Sequence, residues 1–176
     1  PKSGYKFVRW EGSVVSGLAE ISYNMAQAGN FKAIFAPAVE ADVKIVINEI
    51  NYKSASGFDT GDWIELYNQG TATVDLGGWE LTDSGTQEAY IFPSGTILYP
   101  GDYLVICENQ TQFKNHRPNT SNSMGNFAFG LSSNGDKVEL YNSSGQLADA
   151  VVYQSVSPWP VIDAEAAGTL ELMNPN

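Results

Sequence analysis

The chain has 176 residues, of which 43% are hydrophobic, with one cysteine, 17 glycines and a formal net charge of −11. That is enough apolar chain to bury a core without disulfide staples. The charge excludes a nucleic-acid ligand, because phosphate binding needs a basic face, and it disfavours anionic membrane surfaces for the same reason. Many short apolar runs divided by Gly, Asn and Ser turns predict an all-β sandwich or barrel.

In chain order, 4–12, 21–25 and 30–35 read as three strands. The run Gly4-Tyr5-Lys6-Phe7-Val8-Arg9-Trp10-Glu11-Gly12, with the closing Phe31-Lys32-Ala33-Ile34-Phe35, resembles the second half of the small β repeats of bacterial surface proteins. Residues 1–36 are therefore expected to be part of a repeat. Pro37 to Asp42, small residues with a proline and two acids, read as a linker. The main domain is expected over 43–176. The chain opens at Pro1 without a Met, so it is read as an excised piece, and the lack of a signal segment carries no weight.

Lys44 to Ile50 starts the main domain as a β-branched strand. In 62–68, Ile64 and Leu66 share one face while Trp63, Glu65 and Tyr67 share the other, the two-residue period of a half-buried strand. Asn68-Gln69-Gly70 is a turn. Val74 and Leu76 precede a relaxed Gly77-Gly78, after which Trp79 and Leu81 face the core. Further strands are expected at 89–93, 103–107, 137–142, 148–154 and 169–173, with a short helix from Gln110 to Asn115 stopped before Pro118. The tetrapeptide Glu-Leu-Tyr-Asn occurs twice, at 65–68 and 139–142, and predicts equivalent roles for those two strands. The core is expected to hold Ile64, Leu66, Trp79, Leu81, Leu104, Ile106, Val138 and Leu140. No stretch reaches the roughly 18 apolar residues of a membrane span.

Several segments coincide with one family: Val46-Ile47-Asn48-Glu49-Ile50, the whole of 62–68, Val74 to Asp83, Phe92-Pro93-Ser94-Gly95-Thr96, Pro100 to Ile106 and Leu131 to Leu140. From about Val43 to Met173 the chain resembles the bacterial form of the lamin tail domain. The resemblance implies an immunoglobulin-like β-sandwich. It also implies an appended module on a secreted or surface protein of a bacterium, often beside hydrolases or surface repeats, with no catalytic residues to carry over. Nuclear members of the family follow a long coiled coil, and this chain has no heptad run. Where bacterial relatives read Ala-Asp-Gly-x-Gly before the last strand, this chain has Asp163-Ala164-Glu165-Ala166-Ala167-Gly168.

The site chemistry is sparse. His116 and Cys107 are the sole residues of their kinds, so a zinc site built on several such ligands is excluded. No nucleophile elbow accompanies the histidine. Cys107 reads as a buried small hydrophobe. Asp59, Asp62 and Glu65 are spaced by three, and Glu49 falls opposite Glu65 if their strands pair. Like charges so placed call for an offset register, a lysine such as Lys44 or Lys53, or a Ca²⁺ ion with its about six to eight oxygens. An ordinary solvated acidic edge is the alternative. Trp63, Tyr67 and Tyr141 alternate with core residues and are expected on an outer face, where they would stack on sugars or anchor a protein, unless another segment covers them.

The function expected is a non-enzymatic extracellular adhesion or interaction module. Its rivals are a carbohydrate-binding module and an accessory domain of a hydrolase. The aromatic strands of 1–36 are too few for a core of their own, so that segment is expected to dock on its own domain or on a second copy in a dimer.

Overall fold

The structure is a computed structural model and describes residues 4–24, 26–37, 41–55, 57–83, 88–157, 159–160 and 168–172. Met25, Pro158, Met173, the linker positions 38–40 and the departure at 163–167 lie outside the described residues. The chain divides into two compact units, Pro1–Ala41 and Asp42–Asn176.

In the first unit, β1 (Tyr5–Gly12) pairs antiparallel with β2 (Phe31–Pro37), with a register shift between Phe7 and Arg9. Phe7 packs on Trp10 and Phe35, and Tyr23 meets Phe31 edge-on at 4.7 Å. The strand expected at 21–25 does not form over 21–24. Side chains there bind the nearby backbone instead: Ser16 Oγ accepts from Leu18 N and Asn24 Oδ1 accepts from Ala26 N. Such local bonds favour turns over ladders.

The second unit is a sandwich of two sheets. One runs β10-β9-β4-β3-β13, from Ser123–Gly125, Tyr103–Cys107, Trp63–Asn68, Ile45–Asn51 and Leu170–Glu171. The other runs β12-β11-β6-β7, from Leu147–Gln154, Gly135–Tyr141, Glu80–Asp83 and Ala89–Ile91. A small pair, β5 (Val74–Asp75) with β8 (Ile97–Leu98), sits apart from both ladders. The helix α1 spans Gln110–His116, capped by Asn109, whose side chain accepts from Gln112 N.

The expected faces hold. Ile64, Leu66, Trp79, Leu81, Ile106, Val138 and Leu140 are buried in one cluster, and Leu104 is half-buried against it. The turn after β4 works differently from its sequence reading. No described non-glycine residue has positive φ, and Gly70 does not either. Gly70 is needed for space, since a Cβ there would lie 2.2 Å from Asp42 O. Asn68 is fully buried and ties the turn down, donating to Ala72 O and Leu98 O while accepting from Gly70 N.

β10 was not legible as a strand. Ser-Met-Gly has little β propensity, but it runs parallel to β9, and Asn122 O accepts from Val105 N at 2.9 Å. β12 is joined to the other sheet by Asp149, whose carboxylate accepts from Ile47 N at 2.7 Å beside a register shift in β3.

Candidate functional site

The outer face of the five-stranded sheet carries the polar chemistry. The period of two turns Trp63, Glu65 and Tyr67 of β4 outward, and the shift between Ile47 and Glu49 turns Glu49 the same way. Glu49 then stands directly opposite Glu65, and Glu171 stands opposite Glu49. Three glutamates lie in a row across three neighbouring strands. The register sets Glu49 opposite Glu65, and two neutral donors meet the row: Asn48 Nδ2 donates to Glu65 at 3.0 Å and the Thr169 hydroxyl donates to Glu49. Burial pushes the Glu65 carboxyl above its ordinary value, Glu49 and Glu171 push the same way, and the Asn48 bond only partly offsets them.

The four acids expected to share a calcium ion do not converge. Asp62 accepts from Leu131 N at 2.7 Å, Asp59 accepts from Gly61 N, and Glu49 and Glu65 take the bonds just described. Among the described residues no group of three or more His, Cys, Asp and Glu side chains is placed to hold a metal ion. Asp62 is nonetheless perturbed. Burial raises its carboxyl to about 6 against the Leu131 bond, with Glu108 and Asp59 adding repulsion.

The three aromatic residues do not form one strip. Trp63 is only 7% exposed, because Phe113 of α1 covers it edge-on at 5.9 Å and Val105 and Cys107 complete a second small core. Its indole N–H donates to Thr60 Oγ1. Tyr67 is half-buried and stacks on Tyr103, at 4.6 Å between centroids. Tyr141 belongs to the other sheet, where its hydroxyl donates to Glu139. A single-strand period places a residue on a face but does not say what later segment covers it or which sheet owns it.

Two residues outside the expected set frame the site. Arg117 caps the end of α1, its N–H donating to Phe113 O, and its guanidinium lies 5.2 Å over the Phe58 ring. His116 packs edge-on against the same Phe58 ring at 5.0 Å. A cavity of about 180 Å³ opens between Phe58, Arg117, Trp63, Glu49 and Thr169. A second, of about 170 Å³, shares Glu49, Trp63 and Arg117 and reaches Glu65. Cys107 is fully buried and its thiol is pushed up to about 12 by desolvation, which makes it a poor nucleophile.

This arrangement, two packed sheets with the Asn68 turn and the small β5–β8 pair, meets a family match over most of its length. The sequence model of the lamin tail domain matches residues 38–155. The chain belongs to the lamin tail domain family. No curated protein matches it. The family is a non-catalytic one of immunoglobulin-like fold, and the cavity at Glu49 and Arg117 lies beside Trp63 of this lamin tail domain.

Proposed function

We propose that this chain is a non-catalytic adhesion or interaction module of an extracellular bacterial protein, with a protein as its partner. One observation carries the reading. Among the described residues of 4–37 no side chain is buried, although Tyr5, Phe7, Trp10, Tyr23, Phe31 and Phe35 are all there. Tyr5 is 45% exposed and Phe35 43%. Aromatic rings left this open gain free energy when a partner removes them from water, and a two-stranded ribbon is marginal alone. A second copy of the chain is the simplest such partner.

The carbohydrate reading loses the ring strip that motivated it, because Trp63 is covered and Tyr141 lies on the opposite sheet. The module reading is tested on whole cells of the source organism. A photo-crosslinking residue at Phe35 should give a discrete adduct, and protease added outside the cell should cleave the chain. A chain protected from outside protease, or one giving no adduct, contradicts the reading.

A further inference from the structure

The groove beside Trp63 brings together opposite charges that do not meet. Among the described residues the ion pairs are Arg9–Glu11, Lys32–Glu11 and Lys137–Glu139, and Arg117 takes part in none of them. Its guanidinium is held over Phe58 and its backbone is fixed at the end of α1. Glu49 is likewise fixed, by the β3 register shift and by the Thr169 hydroxyl. Both side chains line the same cavity of about 180 Å³, and both line its neighbour of about 170 Å³. The floor is rigid. Asn51 Nδ2 donates to Ser54 Oγ, Thr60 Oγ1 and Gly61 O, and Thr60 Oγ1 in turn accepts from the Trp63 indole.

A fixed guanidinium and a fixed carboxylate facing one cavity without pairing are complementary to a ligand that carries both charges in reverse. A lone cation would satisfy Glu49 but meet Arg117 as a like charge, and a lone anion would meet Glu49 and Glu65. We infer that the groove binds an amino–carboxylate dipole, with the ligand ammonium on Glu49 and Glu65 and its carboxylate on Arg117. The volume suits one free amino acid or the two ends of a very short peptide. The inference rests on reading the chain as a binding module, but the ligand site is on the lamin tail domain and the crosslinking site of the module reading is on the N-terminal hairpin.

The test is a titration of the whole chain, followed by NMR at the Trp63 indole N–H, with four probes. Glycine and glycylglycine carry both charges, N-acetylglycine lacks the ammonium, and glycinamide lacks the carboxylate. Saturable shifts are expected with glycine or glycylglycine, and the tighter of the two names the source as a free amino acid or a peptide. N-acetylglycine and glycinamide should each bind about tenfold or more weakly, as should glycine-type probes to Glu49→Gln and to Arg117→Gln, since each change removes one charge-assisted contact. Arg117 is exposed and Glu49 half-buried, and a cooperative thermal melt no lower than the parent's checks that each variant is folded. No saturable shift with either dipolar probe overturns the inference. So does N-acetylglycine or glycinamide binding as well as glycine, or full binding by folded Glu49→Gln or Arg117→Gln.

Discussion

Glu65-Leu66-Tyr67-Asn68 lies in β4 and Glu139-Leu140-Tyr141 in β11, interior strands of opposite sheets, with Asn142 just past the end of β11. Both leucines are fully buried in the shared core. The residues around them have opposite fates. Glu65 faces Glu49 and is half-buried, so its carboxyl is pushed up. Glu139 lies beside Lys137 at 2.6 Å and accepts from the Tyr141 hydroxyl, so its carboxyl is held down. Asn68 is sealed inside a turn, whereas Asn142 is half-buried and accepts from Ser144 N and Gln146 N. Identical sequence thus sets which side chains enter the core. Electrostatics on the other face are set by neighbours from distant strands.

The largest expected effect should be the same in both strands. Leu66→Ala and Leu140→Ala each remove a fully buried side chain and should each cost about 2–5 kcal/mol by lost contacts and cavity formation. Denaturant unfolding measures both, and a difference far beyond that spread would mean that the two leucines do not share one core. The asparagines should separate. Asn68→Ala takes the side-chain donor from two carbonyls inside the protein, while Gly70 N keeps its bond to Lys44 O, and should cost about 2–3 kcal/mol. Asn142→Ala lets water replace its bonds and should cost under about 1 kcal/mol. Equal losses in the same unfolding assay would erase this part of the contrast.

Much of this was legible in the sequence, and the limits are physical. Strict alternation assigns Ile64, Leu66, Leu81, Ile106, Val138 and Leu140 to the core, because strand geometry fixes faces locally. The opposition of Glu49 and Glu65 needs both the pairing of their strands and the register shift after Ile47, and only the pairing is legible locally. The cover over Trp63 is not, since it comes from Phe113, on a helix five strands further along the chain. Arg117 gave no signal either, as its position depends on where α1 ends and on the Phe58 loop packing beneath it. The raised Asp62 carboxyl comes from burial by segments distant in sequence, and the Leu131 N–H that works against it has no local relation to Asp62 either. β10 is a strand only because β9 offers it an edge.

A smaller effect is expected at the entrance to β4. Asp62 titrates near about 6 in the fold against 3.8 in its ordinary state. Its protonated form is the one the fold favours, so its contribution is full below about 3.8 and is lost as pH rises through about 6. Discounted for its partial exposure, the effect should be about 1 kcal/mol. Asp62→Asn keeps an acceptor for Leu131 N and should gain about that much stability at neutral pH, with a flatter profile through this window. Thermal melts at mildly acidic and neutral pH check both. A variant less stable than the parent at neutral pH would show that the Leu131 bond outweighs desolvation.

The most direct test of the contrast between the twin strands is to titrate Glu65 and Glu139 in the same folded sample, following side-chain carboxyl carbons by NMR. Glu65 should titrate above the ordinary glutamate value of 4.5, and Glu139 below it. With the sign worked through, the Glu65 term favours the fold at low pH and fades as pH rises through its raised value. The Glu139 term is present above 4.5 and is lost as pH falls through its lowered value. Glu65→Gln should leave the Glu139 titration unchanged, since the two lie on opposite sheets. Two coincident titrations, or Glu139 titrating above Glu65, would contradict the account.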